Sequence, residues 1–220
     1  MSTRSCREHA MLCIASLCLA ALAGCGSSIG HSTPQECAYA AKAALDSNDI
    51  EALFDCLTVE TQDVLAGSIV QHVNAFNTFG RGMAALQGAK AAASIEKTLG
   101  ELNSVLDKHG VDDASLQNIS SSLSAVNDPQ ASAVVAKVVK DKRAFIADIF
   151  AAFKRLGKGV GNLGDRYAGE VKGLKVDGDK AVATIAGPSG EEHLDFRKTA
   201  AGWKLHIDAQ SLSERFFAPG

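Results

Sequence analysis

Glu191-Glu192-His193-Leu194-Asp195-Phe196-Arg197-Lys198 and, after a short turn, Trp203-Lys204-Leu205-His206-Ile207-Asp208 alternate polar and apolar side chains. Successive side chains of a strand point to opposite faces, so Leu194, Phe196, Trp203, Leu205 and Ile207 share a dry face. His193, Asp195, Arg197, Lys204, His206 and Asp208 then share a wet one. Upstream, Leu174 and Val176 precede Asp177-Gly178-Asp179, residues 180–186 follow, and Gly187-Pro188-Ser189-Gly190 comes next. Both links carry hairpin residues, so the end of the chain reads as an antiparallel meander of about four short strands.

Before residue 157 the apolar period is 3.6 instead of 2. Thr33-Pro34-Gln35-Glu36 combines a cap residue, a proline at the first helical position and a glutamate three residues after the cap, which starts a helix running to about Asp46. Asn48-Asp49-Ile50-Glu51 repeats the arrangement ahead of Ile50, Leu53, Phe54 and Leu57. A third segment carries Val64, Leu65, Ile69, Val73, Phe76 and Phe79 at helical spacing, and Ile95, Leu99, Leu102 and Leu106 make another stripe ending at Lys108-His109-Gly110. Residues 111–124 are polar and loosely patterned. Asp128-Pro129 then opens what reads as one long helix to Leu156, with Val134, Val135, Val138, Phe145, Ile146, Ile149, Phe150 and Phe153 on its apolar face. Helices first and strands afterwards predict an α+β fold, with N-terminal helices and a long helical insertion packed on the C-terminal meander.

The 220 residues include 46% hydrophobic side chains and four prolines, a composition that folds rather than stays disordered. A formal net charge of −3 offers no basic surface for nucleic acid. Arg4 and Arg7 followed by an apolar run from Met11 to Ala23 have the layout of an export signal, too short to span a bilayer in the mature protein. The run ends in Leu22-Ala23-Gly24-Cys25, which resembles the lipobox of bacterial lipoproteins. That resemblance implies removal of residues 1–24, diacylglycerol on Cys25, and a bacterial cell-envelope address. With Gly26 and not Asp after the cysteine, the outer membrane or cell surface is favoured over the inner membrane. Residues 25–33 read as a lipidated tether and 34–220 as one domain, joined to the membrane through acyl chains numerous enough to hold durably.

Cysteine usage then simplifies. Cys6, Cys13 and Cys18 leave with the signal, Cys25 is modified, and Cys37 and Cys56 remain in an oxidising compartment on either side of the turn-forming Asp46-Ser47-Asn48-Asp49. A Cys37–Cys56 disulfide would contribute about 3 kcal/mol by constraining the unfolded chain. Two buried thiols, or a nucleophilic thiolate, are the other readings, and neither cysteine has a histidine near it in sequence to lower its pKa.

Residues 34–66, from Pro34-Gln35-Glu36 through the Ser47-Asn48-Asp49 turn to Thr58-Val59-Glu60, resemble the opening helices of nuclear-transport-factor-two-like domains, especially small bacterial lipoproteins with that fold. Residues 170–207, with Val176-Asp177-Gly178-Asp179-Lys180-Ala181-Val182-Ala183 and Gly202-Trp203-Lys204-Leu205, resemble that superfamily's closing strands. Residues of about 80–160 look like a helical insertion into this pattern. The superfamily hosts enzymes, ligand binders and assembly domains, so it implies a scaffold and not a reaction.

Four features carry candidate chemistry. If Lys198 pairs with Trp203, Asp195 lies opposite His206 and His193 opposite Asp208. Such a set could ligate a divalent metal or serve as a proton-transfer pair, with Asp195 and His206 as acid and base; the plainer reading is a solvated face with complementary charges. Lys137, Lys140, Lys142, Arg143, Lys154, Arg155 and Lys158 give the long helix a basic side that could face anionic lipid or simply water. Gly159-Val160-Gly161-Asn162-Leu163-Gly164 fits a dinucleotide-binding pattern, but a helix precedes it and strands follow, the reverse of the required context, and no cofactor is implied. His72 reads as a surface residue and His109 as a helix-end cation. The expectation is a non-enzymatic envelope lipoprotein that binds a partner protein or a small apolar ligand; the alternative is an enzyme using Asp195 and His206 in a pocket between sheet and helices.

Overall fold

A computed structural model describes residues 30–86, 88–119, 122, 128–156, 170–187 and 190–208. The signal, Cys25, most of the tether, the glycine-rich 159–164 segment and Lys158 lie outside the described residues. The chain is α+β, helices first and a four-stranded antiparallel meander last.

Helix α1, Pro34–Asp46, starts where its capping residues place it. Thr33 Oγ1 accepts from the Glu36 backbone N–H at 3.1 Å, and Glu36 reaches back to the Ser32 backbone and hydroxyl at 3.0 and 2.7 Å. Asn48, in the left-handed region at φ 56°, turns the chain, and Asp49 caps α2, Ile50–Cys56, through the Ala52 N–H at 2.9 Å. Helix α3, Val59–Leu86, continues past Phe79 and through Gly80 and Gly82, and packs on α4, Ala89–Lys108. Asp112 caps a short α5, Asp113–Asn118, within the stretch that sequence patterning leaves unassigned.

The long C-terminal helix is broken. Helix α6, Pro129–Val135, is followed by a tight turn over Ala136–Val138, an extended Val139, and α7, Lys142–Arg155. The break has one local and one remote cause: Asp141 accepts from the Ala144 N–H at 3.0 Å as a new N-cap, and the Lys140 N–H donates to the distant His109 carbonyl at 3.0 Å instead of continuing the ladder. Apolar periodicity runs across the break, from Val134 and Val135 to Phe145 and Ile146, and conceals it in sequence. The early helix α3 crosses α6 so closely that a Cβ on Gly67 would come within 1.8 Å of the Ser132 carbonyl oxygen, and only glycine fits.

Strands β1, Val171–Asp177, β2, Lys180–Gly187, β3, Gly190–Thr199, and β4, Gly202–His206, pair in chain order. Of the predicted dry face Leu194, Phe196, Trp203 and Leu205 are buried and Ile207 is half-buried, and Ala181, Ala183 and Ile185 of β2 are buried with them. The helix that lies against this sheet is α1, chiefly at β4, through a face of small residues, Cys37, Ala38, Ala41 and Ala44, that permits close approach. Two short segments cover the open edge of β4. Leu57 pairs in parallel with Leu205, and His31 pairs antiparallel with Trp203, which blunts an edge otherwise open to association. Fully buried Phe145, Ile146 and Ile149 on α7 belong to the same continuous core.

Candidate functional site

The predicted register is the observed one: Lys198 pairs with Trp203 and Asp195 with His206. The ladder ends there, so His193 and Asp208 do not face each other as a paired row. Asp195 and His193 are exposed, whereas His206 is half-buried and its Nδ1 shares a 3.2 Å hydrogen bond with Thr58 Oγ1. Thr58 and Thr61 are themselves buried, and Thr61 bonds both the Ile207 carbonyl and its N–H, at 3.2 and 3.0 Å. The Thr58–Thr61 helix start therefore fixes the imidazole. Burial pushes the His206 pKa down, helped by nearby Arg197 and opposed by Glu60, Asp195 and Asp208. His193, Asp195, His206 and Asp208 line an open hollow of about 240 Å³. Among the described residues no three His, Cys, Asp or Glu side chains are placed to hold a metal ion.

The other predicted features resolve differently. His109 caps the C-terminus of α4 but is 5% exposed, edge-on to Phe145, with Nε2 2.6 Å from Asp148. Asp148 also accepts from Lys108 at 2.7 Å, and these two contacts, Lys108 first, hold its carboxyl below the usual range. His109 thus sits at the helix end, as its position predicts, but as an interior strut between α4 and α7. His72 is half-buried, with Nδ1 2.7 Å from the Ser68 carbonyl. Part of the basic side of the long helix is consumed at home: Lys142 pairs with Asp63, Arg143 with Asp55 and Glu51, and Arg155 with Glu101. Those pairs tie α7 to α2, α3 and α4.

The constellation that sequence reading missed surrounds the two cysteines. Cys37 from α1 and Cys56 from the end of α2 are both buried thiols, and Cys37 Sγ donates to the Cys56 carbonyl at 3.8 Å. His31 brings Nε2 to 3.7 Å from Cys56 Sγ. What holds it there is backbone: the Trp203 N–H donates to the His31 carbonyl at 2.8 Å, and Gly30 lies against Ala201 where any Cβ would overlap the carbonyl oxygen. The folded body therefore includes Gly30 and His31, inside the expected tether. Lys204 is 4% exposed despite its place in the wet alternation, and its ammonium donates to the Asp55 carbonyl at 2.5 Å, one of the free carbonyls ending α2. Hydrogen bonding from Cys37, then His31 and the Lys204 charge, lower the Cys56 pKa to about 6 against its burial. The same contact and burial push the Cys37 thiol up. The only sequence signal was indirect: His31, though six residues from Cys37, is 25 from the Cys56 it meets, and Lys204 is remote from both.

An apolar cleft opens under α1, lined by Ala41, Leu45, Leu53, Ile185, Leu194 and Leu205 among others, with a volume of about 40 Å³. A larger polar cleft of about 610 Å³ lies between α3 and the end of α4, with Asn77, Arg81, Asn103, Asp107 and Asp112 in its wall. Among the described residues no helix is long and apolar enough to cross a membrane. Comparison with known proteins gives no match to a family model, a curated protein or a solved structure.

Proposed function

We propose that the chain is an exported bacterial lipoprotein, anchored through Cys25, whose nuclear-transport-factor-two-like α+β domain, with its insertion at about 80–160, is a non-enzymatic binding domain for another envelope protein. The anchor reading rests on Leu22-Ala23-Gly24-Cys25 after the basic, apolar leader. With Gly30 seated on β4, the chain from Cys25 to the folded body reaches at most roughly 18 Å, so the domain is held at the bilayer surface. Changing Cys25 to Ala is expected to abolish labelling by a fatty-acid probe; retained label refutes the anchor.

The observation that carries the binding reading is at the far end of α3, where Phe79 and Leu86 are 68% and 82% exposed. Large apolar groups left in water at the tip of a long helix suit a protein surface. A small apolar ligand fits less well, because ligand pockets run to about 300–1,000 Å³ and the apolar cleft has about 40 Å³. A photo-crosslinking residue at position 79 is expected to capture one envelope protein, and the double change Phe79→Ser, Leu86→Ser to lose it at unchanged melting temperature. Capture that persists in the double variant rejects this surface.

The enzyme alternative draws support from the hollow beside Asp195 and His206. It requires the pair to share a proton, which an exposed Asp195 and a His206 bonded to Thr58 do not favour. In the same reading Cys37 and Cys56 pair as a disulfide after export, supported by their burial side by side; mass spectrometry without reduction checks this, and two alkylatable thiols in native protein reject it.

A further inference from the structure

We propose that Cys37 and Cys56 are an exchangeable redox pair in which Cys56 is the attacking sulfur, His31 its proton acceptor, Lys204 the buried charge beside it, and a small-molecule or protein disulfide the co-reactant. The proposal rests on the disulfide reading above and adds a direction to it. A structural staple needs two sulfurs within reach and nothing more. Here Lys204 lies near both sulfurs, but the imidazole reaches Cys56. His31 Nε2 lies 3.7 Å from Cys56 Sγ, and Lys204 carries its charge into the same buried space. Cys37 instead directs its S–H to a backbone carbonyl, is 0% exposed, and keeps its proton.

The surroundings make the asymmetry durable. Cys56 faces His31 from the root of the tether, Cys37 from α1 and Lys204 from β4; the nearest carboxylate in sequence, Asp55, is engaged by Arg143 at 3.0 Å. His31 is half-exposed while Cys56 is 4% exposed, so the imidazole is the solvent-side neighbour of the sulfur. Access to the pair therefore runs through displacement of His31, whose backbone is anchored by the contact of residues 30–31 with the β3–β4 turn and Trp203.

The chemistry balances as ordinary thiol–disulfide exchange. Cys56 loses its proton to His31 Nε2, and the thiolate attacks one sulfur of the incoming disulfide. The S–S bond breaks, one thiolate leaves with the electron pair and takes the proton from the imidazolium, and a mixed disulfide remains on Cys56. Cys37 then attacks Cys56 Sγ, its proton passing to the second departing thiolate. The dithiol is oxidised to one disulfide, and the co-reactant is reduced to two thiols.

The test uses the full-length chain in detergent, reduced and then exposed to oxidised glutathione, with Cys37 and Cys56 peptides read by mass spectrometry. Cys37→Ser is expected to trap glutathione on Cys56, and Cys56→Ser to trap it on Cys37 about tenfold or more slowly at pH 7, because the thiolate is the nucleophile. The rate-against-pH profile at Cys56 is expected to move up by about one unit or more in His31→Gln, since exchange rate follows the thiolate fraction. Gly30→Val, which keeps every reacting group but unseats His31, is expected to give the same upward shift. Equal trapping on the two cysteines, or an unmoved profile in both variants, overturns the proposal. If excess oxidised glutathione closes no bridge in the parent chain, the disulfide reading fails and the proposal with it; a bridge that closes without asymmetry overturns the proposal alone.

Discussion

Between α3 and α6 the polar groups that go inside find one another. Ser68 and Ser132 share a 3.1 Å hydrogen bond, Ser132 donates to Gln71 Oε1 at 2.7 Å, and Gln71 donates onward to the Ser122 carbonyl at 2.7 Å. All are neutral. Along the covered edge of β4 the buried polar groups include instead an ammonium and two thiols, with a half-exposed imidazole over them. Burial is similar in the two places, but the first seam has no charge to move, whereas the second holds groups whose protonation can change. A satisfied neutral network specifies packing, and a buried cation beside thiols raises the stakes of every protonation event near it. The difference separates a part of the molecule that positions helices from a part that holds chemistry.

The largest test of the first half removes core volume. Phe145→Ala, at a fully buried ring that also meets His109 edge-on, is expected to cost about 3–5 kcal/mol in denaturant unfolding. Gly67→Ala drives a methyl into the α6 backbone and is expected to cost about 3 kcal/mol, with loss of the Ser68–Ser132 contact. A cost below 1 kcal/mol in either would mean that the helices are not held as described. Asp148→Ala leaves His109 without its 2.6 Å partner and is expected to cost about 1–3 kcal/mol. Its pH dependence has a sign. Lys108 and His109 depress the folded-state pKa of Asp148, so its contribution is fully present above the unfolded carboxylate value of about 4 and is lost as pH falls through the lower folded value. Parent and variant should therefore converge in acid, and a gap that widens below pH 4 contradicts the pairing.

How legible each half was follows from the range of the forces that shape it. The strands, their order and the Lys198–Trp203 register could be read because alternation and turn residues act over a few positions. The caps at Thr33, Asp49 and Asp128 were equally local. The break at Val139 was hidden because apolar periodicity persists across it, while its cause is a hydrogen bond from Lys140 to His109, remote in the chain. Lys204 was misplaced because alternation assigns faces but not covers: α2 ends over β4 and offers its carbonyls. His31 was read as tether because Gly, Ser and His in a row carry no periodicity, and its place is set by Trp203. Lys204→Met sharpens this lesson. It keeps the length of the side chain and removes the charge, so the expected stability change is about 1 kcal/mol in either direction, while the Cys56 alkylation profile moves to higher pH. An unmoved profile would detach Lys204 from the thiol chemistry.

The smallest effect is expected at the pair that the sequence brings together most clearly. Asp195 is exposed and stands opposite His206, which is half-buried and bonded to Thr58. Asp195→Asn should change stability by no more than about 0.5 kcal/mol, as for surface substitutions away from buried networks. Asp195 is one of three carboxylates that raise the His206 pKa against its burial and Arg197, so its removal should lower that pKa slightly further. An NMR titration of the imidazole measures this directly. A drop of a unit or more would mean that the two groups are coupled tightly enough to trade a proton, and would move the hollow beside them from a solvated face to an acid–base site. A small drop leaves the titrating chemistry of the molecule on the other side of β4, at Cys56.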